Sequence, residues 1–92
     1  MIRSFRHKGL RILYETGSSR GIPPARAERL QKILTLLDVA TSPRDLALPG
    51  FGLHQLQGAL ALAWSITVSG NWRVTFVFEL GDMFEVNLVD YH

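Results

Sequence analysis

At about residue 51 the spacing of apolar side chains changes from the three-to-four of a helix to the two of a strand. Before it, Ala27, Leu30, Ile33, Leu34 and Leu37 fall on one helical stripe, with Arg26, Arg29 and Lys32 between them. Beyond it, Trp64, Ile66 and Val68 alternate with Ser65 and Thr67, and Trp72, Val74, Phe76 and Phe78 alternate with Arg73, Thr75 and Val77. Successive strand side chains point to opposite faces, so each run has an apolar face to bury and another to leave open. Ser69-Gly70-Asn71 and Leu80-Gly81-Asp82 are tight-turn sequences, and a last strand follows over about residues 83–89. The expected fold is α+β, with two main helices packed on one face of a mainly antiparallel meander.

The remaining segments fill in this order. Residues 1–4 suggest a short first strand, and about 5–15 a helix with Leu10, Leu13 and Tyr14 on one side, closed by Gly17. Gly17-Ser18-Ser19-Arg20-Gly21 is a loop, and Pro23-Pro24 opens the second helix, because proline is tolerated in a first turn. Ser42-Pro43-Arg44-Asp45 has the form of a capping box and predicts a single helical turn, ended by Leu48-Pro49-Gly50. Phe51, Leu53 and Leu56 suggest a strand leading to His54. The uncharged stretch Gly58 to Ala63 reads as a loop or strand extension whose apolar exposure marks a contact site, with a helical turn as the alternative.

Ninety-two residues, 47% of them hydrophobic, suffice for one core and hence one domain over 1–92. Cysteine is absent, which excludes disulfides and thiolate metal sites and fits a cytoplasmic protein. His7, His54 and His92 lack metal-ligand spacing, so no metal or other cofactor is expected. No signal peptide is read at the N-terminus. The longest apolar run, Ala59 to Trp64, is six residues against the roughly 20 needed to span a bilayer.

The net charge of +2 hides an asymmetry: residues 1–46 carry nine of the ten basic side chains, and Arg73 is the tenth. The first half therefore offers a contact surface to a polyanion such as RNA. A solvated helix face is the commoner origin of such a run.

Arg73 should face away from the core, because Trp72, Val74 and Phe76 take the apolar side. Its strand should pair with the one leading to Asp90-Tyr91-His92. That would gather a fixed cation, a carboxylate, a phenol and an imidazole, as metal-free phosphodiester cleavage needs: proton-transfer groups near neutral pH and a cation where phosphate charge builds. The bland alternatives are a solvated arginine and a frayed terminal histidine. Tyr91 can anchor the end, and Asp90 can hold the imidazole or raise its pKa. His54 and Gln57 are candidate substrate contacts, although His54 reads as well as a partly buried sheet histidine. Trp64 and Trp72 lie on apolar faces and belong to the core.

Several strings resemble the HigB group of toxins in the RelE/ParE superfamily. They are Met1-Ile2-Arg3-Ser4-Phe5-Arg6-His7-Lys8-Gly9-Leu10, Leu53-His54 with Leu56 and Gly58, Trp64-Ser65-Ile66-Thr67-Val68, Asn71-Trp72-Arg73-Val74-Thr75-Phe76, and Asp90-Tyr91-His92. The resemblance implies the superfamily's small α+β fold and a ribosome-dependent mRNA endoribonuclease acting in the decoding site. It implies neutralisation by a helix-turn-helix antitoxin of the HigA type, with DNA contacted only through that partner. It places Arg73, Asp90, Tyr91 and His92 on the family's active-site positions. Where the family carries proline and lysine, this chain has Gln55 and Gln57, and the family's charged stretch is replaced by Ala59-Leu60-Ala61-Leu62-Ala63. Those departures raise an alternative: a catalytically impaired relative that binds antitoxin and contributes to operon autoregulation. Inhibition of DNA gyrase, as in ParE relatives, fits the Asp90-Tyr91-His92 ending less well.

Overall fold

In the computed structural model, which describes residues 1–57 and 62–91, the first helix starts where a side chain caps it. Helix α1 (Lys8–Thr16) follows His7, whose Nδ1 accepts the Leu10 N–H at 3.1 Å. Burial holds the His7 imidazole below its ordinary pKa, which favours the neutral ring this cap requires. Gly17 closes the helix at φ 79°, and its N–H bonds the Leu13 carbonyl at 2.9 Å.

A 3-10 turn, Pro24–Arg26, leads into α2 (Ala27–Val39). Leu30, Ile33, Leu34 and Leu37 are fully buried, as their spacing predicts. The short turn at Pro43–Leu46 is present, with the Ser42 Oγ accepting the Arg44 N–H at 3.3 Å. It is not a capping box in the strict sense. The Asp45 carboxylate reaches back to the Thr41 N–H at 3.0 Å rather than to Ser42.

The sheet is an antiparallel meander in the order β1 (His54–Gln55), β2 (Ala63–Ser69), β3 (Trp72–Glu79), β4 (Asp82–Asp90). At the β2–β3 turn Gly70 takes φ 53°, and at the β3–β4 turn Leu80 and Gly81 take 52° and 84°. The expected strand before His54 shrinks to two residues. Gly50 and Gly52, at φ 83° and 54°, break the extended path while the Phe51 ring turns into the core.

Residues 1–6 lie parallel to β4 as two isolated bridges, Ile2 with Met83 and Phe5 with Val86, rather than as a continuous strand. The Arg6 N–H donates to Val86 and the Val86 N–H to Ser4, so α1 starts at residue 8, not 5. This segment blunts the free edge of β4. Asp38 on α2 clamps it by accepting the Ile2 N–H at 3.0 Å and the Tyr14 hydroxyl at 2.8 Å.

Both helices cover one sheet face, burying Ile66, Val68, Val74, Phe76, Met83, Val86 and Leu88 against Leu10, Leu13 and the α2 leucines. Trp64 and Trp72 pack partly buried on the same side. Among the described residues no helix is long and apolar enough to cross a membrane. Most of the uncharged stretch, residues 58–61, and His92 lie outside the described residues.

Candidate functional site

Directly opposed residues of an antiparallel ladder share a face, so the register itself defines the open side of the sheet. His54 lies opposite Ser65, Ser65 opposite Thr75, and Thr75 opposite Asn87. These four polar residues form one row across all four strands. The neighbouring row is Thr67, Arg73 and Val89. Above the rows lies a cleft of about 230 Å³, whose lining includes Arg6, Leu56, Thr75, Asn87, Val89 and Tyr91.

Arg73 is held at one arm. Its Nη1 donates to the Gly70 carbonyl at 2.7 Å and the Trp72 carbonyl at 3.0 Å, which fixes a five-donor fork near the β2–β3 turn. The guanidinium carbon sits 5.8 Å from the centroid of the Tyr91 ring. Tyr91 does not fray, because its N–H donates to the Asn71 carbonyl at 2.8 Å and so extends the β3–β4 pairing by one step. A cation held against an aromatic wall beside an open cleft can take a phosphate on one side and a base on the other.

The other sequence candidates are placed differently. Asp90 is opposite Trp72, so the register sets it on the helix-facing side at the exposed end of β4, out of phase with Arg73. His54 is exposed on the open face rather than partly buried. Gln57 is exposed just before residues 58–61. The structure thus brings Arg73 and Tyr91 together. Asp90 reaches the same end of the sheet from the opposite face.

Three basic residues of the first half, Arg29, Arg3 and Arg6, have partners within the chain. Arg29 donates from Nη2 to the carbonyls of Gly50 at 2.8 Å and Thr67 at 3.1 Å, with its guanidinium 5.2 Å from the Phe51 ring centroid. It is an internal tie rather than a solvated or nucleic-acid-facing charge. Arg3 pairs with Asp82 at 3.0 Å, and bonds from Arg3 and the N-terminal ammonium hold the Asp82 carboxyl below its usual range. Arg6 pairs with Glu85 at 4.0 Å on the rim of the cleft.

Sequence reasoning missed Thr75, Asn87 and Arg6 as cleft residues. Parity with Arg73 points to Thr75. Asn87 is hidden by a bulge, where Glu85 and Val86 together oppose Phe76, with Glu85 at φ 54°.

A two-helix, four-strand α+β domain with an open, arginine-bearing sheet face agrees with a family comparison. A model described as the RelE-like toxin of the type II toxin–antitoxin system HigB matches residues 3–92, and the chain belongs to this HigB-like toxin family. Over 92 residues, 100% of both chains, it is 44% identical to Endoribonuclease HigB of Proteus vulgaris. A toxin of a type II system has an antitoxin as its partner.

Proposed function

We propose that this toxin is an endoribonuclease that cuts mRNA in the decoding site of the ribosomal small subunit, and that a HigA-type helix-turn-helix antitoxin restrains it in the cytoplasm. The observation that carries this is the Arg73–Tyr91 pair beside an open cleft, in a chain 44% identical to a protein named as an endoribonuclease. That relative's name favours cleavage over the impaired, binding-only alternative.

The chemistry needs no cofactor. The ribose 2′-hydroxyl attacks the adjacent phosphorus, its proton passes to a base, and the 5′-oxygen leaves with a proton from an acid. The products are a 2′,3′-cyclic phosphate and a 5′-hydroxyl. Arg73 offsets the charge that builds on the nonbridging oxygens. Tyr91 stacks against the nucleotide or bonds it. Of Asp90, which reaches round the exposed end of β4 from the opposite face, and His92, one acts as the base and the other assists. His54 and Gln57 contact substrate as hydrogen-bond donors, Gln57 without the charge a lysine would bring.

Ribosomes programmed with a defined mRNA test this. Codon-specific cuts bearing cyclic-phosphate ends are expected. Intact mRNA under the same conditions, or inhibition of gyrase supercoiling instead, would overturn it. In cells, Arg73→Ala and deletion of His92 are each expected to relieve growth arrest.

A further inference from the structure

We infer that Arg6 is a second phosphate-gripping cation of the cleft, and that Glu85 competes for it until RNA arrives. This rests on the nuclease reading above and assigns a substrate contact to a residue outside the Arg73–Asp90–Tyr91–His92 set. Three observations carry it.

Arg6 lines the same cleft as Thr75, Asn87 and Tyr91, although it comes from the far end of the chain. Its place is fixed by the backbone: the Arg6 N–H donates to the Val86 carbonyl at 2.9 Å, beside Asn87. Arg73 pairs with Val89 and Thr75 with Asn87. Arg6 therefore stands one side-chain row from Arg73 along the strands, roughly 7 Å, and two strand spacings across the sheet, roughly 10 Å, so that the two cations meet different phosphates of one strand.

Its ion pair is weak. Nε and Oε2 of Glu85 are 4.0 Å apart, and the side chains are 68% and 55% exposed. Pairs of that kind contribute little and are readily exchanged. By contrast, Arg3 and Arg29 are occupied by bonds of 2.8–3.1 Å.

Glu85 is held at the rim by strain that a simple strand would avoid. It occupies the bulge of β4 at φ 54°, which a β-carbon disfavours. The bulge leaves Val86 in the core while Glu85 stays exposed beside Arg6. A phosphate entering the cleft meets a guanidinium that exchanges one carboxylate oxygen for a phosphate oxygen, with bidentate geometry available.

The test uses the full chain and programmed ribosomes whose A-site codon carries 2′-methoxy groups, so that RNA binds without being cut. Affinity is read over a salt series for wild type, Arg6→Gln, Arg6→Lys, Glu85→Gln and the double variant. Ordinary mRNA is cleaved in parallel. Arg6→Gln is expected to weaken binding about tenfold and to flatten the salt dependence by about one phosphate's worth, with Arg6→Lys recovering most of the loss. Glu85→Gln is expected to tighten binding by roughly threefold, and the double variant to fall near Arg6→Gln. Equal affinity of Arg6→Gln and wild type overturns the inference. So does weakening by Glu85→Gln to the same extent as Arg6→Gln, which marks the pair as a structural tie. Wild type that binds but never cuts defeats the nuclease reading and leaves the Arg6 comparison intact.

Discussion

The guanidinium of Arg73 lies over the ring of Tyr91, 5.8 Å from its centroid, while two carbonyls of its own turn hold its Nη1. Strand and tail are thereby locked to each other: β3 supplies the cation, and the residue after β4 supplies the wall it rests on. Replacing Tyr91 by alanine removes the wall and leaves the cation. Substrate positioning suffers more than charge stabilisation, so the loss in kcat/KM should exceed tenfold, with Tyr91→Phe recovering most of it if stacking is the role. Single-turnover cleavage of programmed mRNA by the two variants measures this.

Gln57, a proposed substrate contact, brings a hydrogen-bond donor but no charge. A charged donor to a phosphate oxygen is worth about 1–2 kcal/mol more than a neutral one. Gln57→Lys should therefore raise the cleavage rate roughly tenfold. Growth arrest at matched expression gives a second readout.

Asp38 ties residue 2 to both helices, and the sign of its pH dependence follows from its partners. Bonds from the Ile2 N–H and the Tyr14 hydroxyl hold its carboxyl below the ordinary 3.8, against the opposing effect of burial. Its contribution is complete above that unfolded value and is lost as the pH falls through the lower folded one. Tyr14, raised above 10.0 chiefly by the bond to Asp38, loses its contribution as the pH climbs past 10.0 through its folded value. Asp38→Ala strands two donors and should cost about 2 kcal/mol. Asp38→Asn keeps an acceptor and should flatten the acid limb, both read by denaturant unfolding between pH 2 and about 7.

Leu80 is 94% exposed and sits at φ 52° before Gly81 in a two-residue hairpin loop. Asparagine adopts that conformation at less cost than leucine. Leu80→Asn should stabilise the fold by about 0.5–1 kcal/mol without affecting cleavage, as thermal unfolding can check.

Arg29 should behave as a structural residue. Arg29→Ala leaves the Gly50 and Thr67 carbonyls without their donor and removes the contact with Phe51, so it should lose about 2 kcal/mol of stability. The salt dependence of RNA binding by the folded fraction should stay unchanged.

Much of this fold is written locally. The α2 stripe, the two glycine turns and the alternation of β2 to β4 each depend on residues a few positions apart, so periodicity alone finds them. What stayed hidden depends on distant partners. The start of α1 is displaced because Ser4 and Arg6 bond to Val86, eighty or so residues away, and no local signal announces that. The bulge at Glu85 and Val86 shifts the β4 register and conceals Asn87. Asp90 illustrates the same limit: its proximity in sequence to Tyr91 suggests a shared face, while parity sends the two apart. Arg29 carried no sequence mark of its ties to the loop before β1.

The central claim is that Arg73 supplies transition-state charge stabilisation on this face. Single-turnover cleavage of mRNA on programmed ribosomes by wild type and Arg73→Gln tests it most directly, with thermal unfolding alongside to show that both are folded. The expected result is a rate reduced by about 100-fold or more with little change in substrate affinity. Equal rates from two equally folded proteins would contradict it.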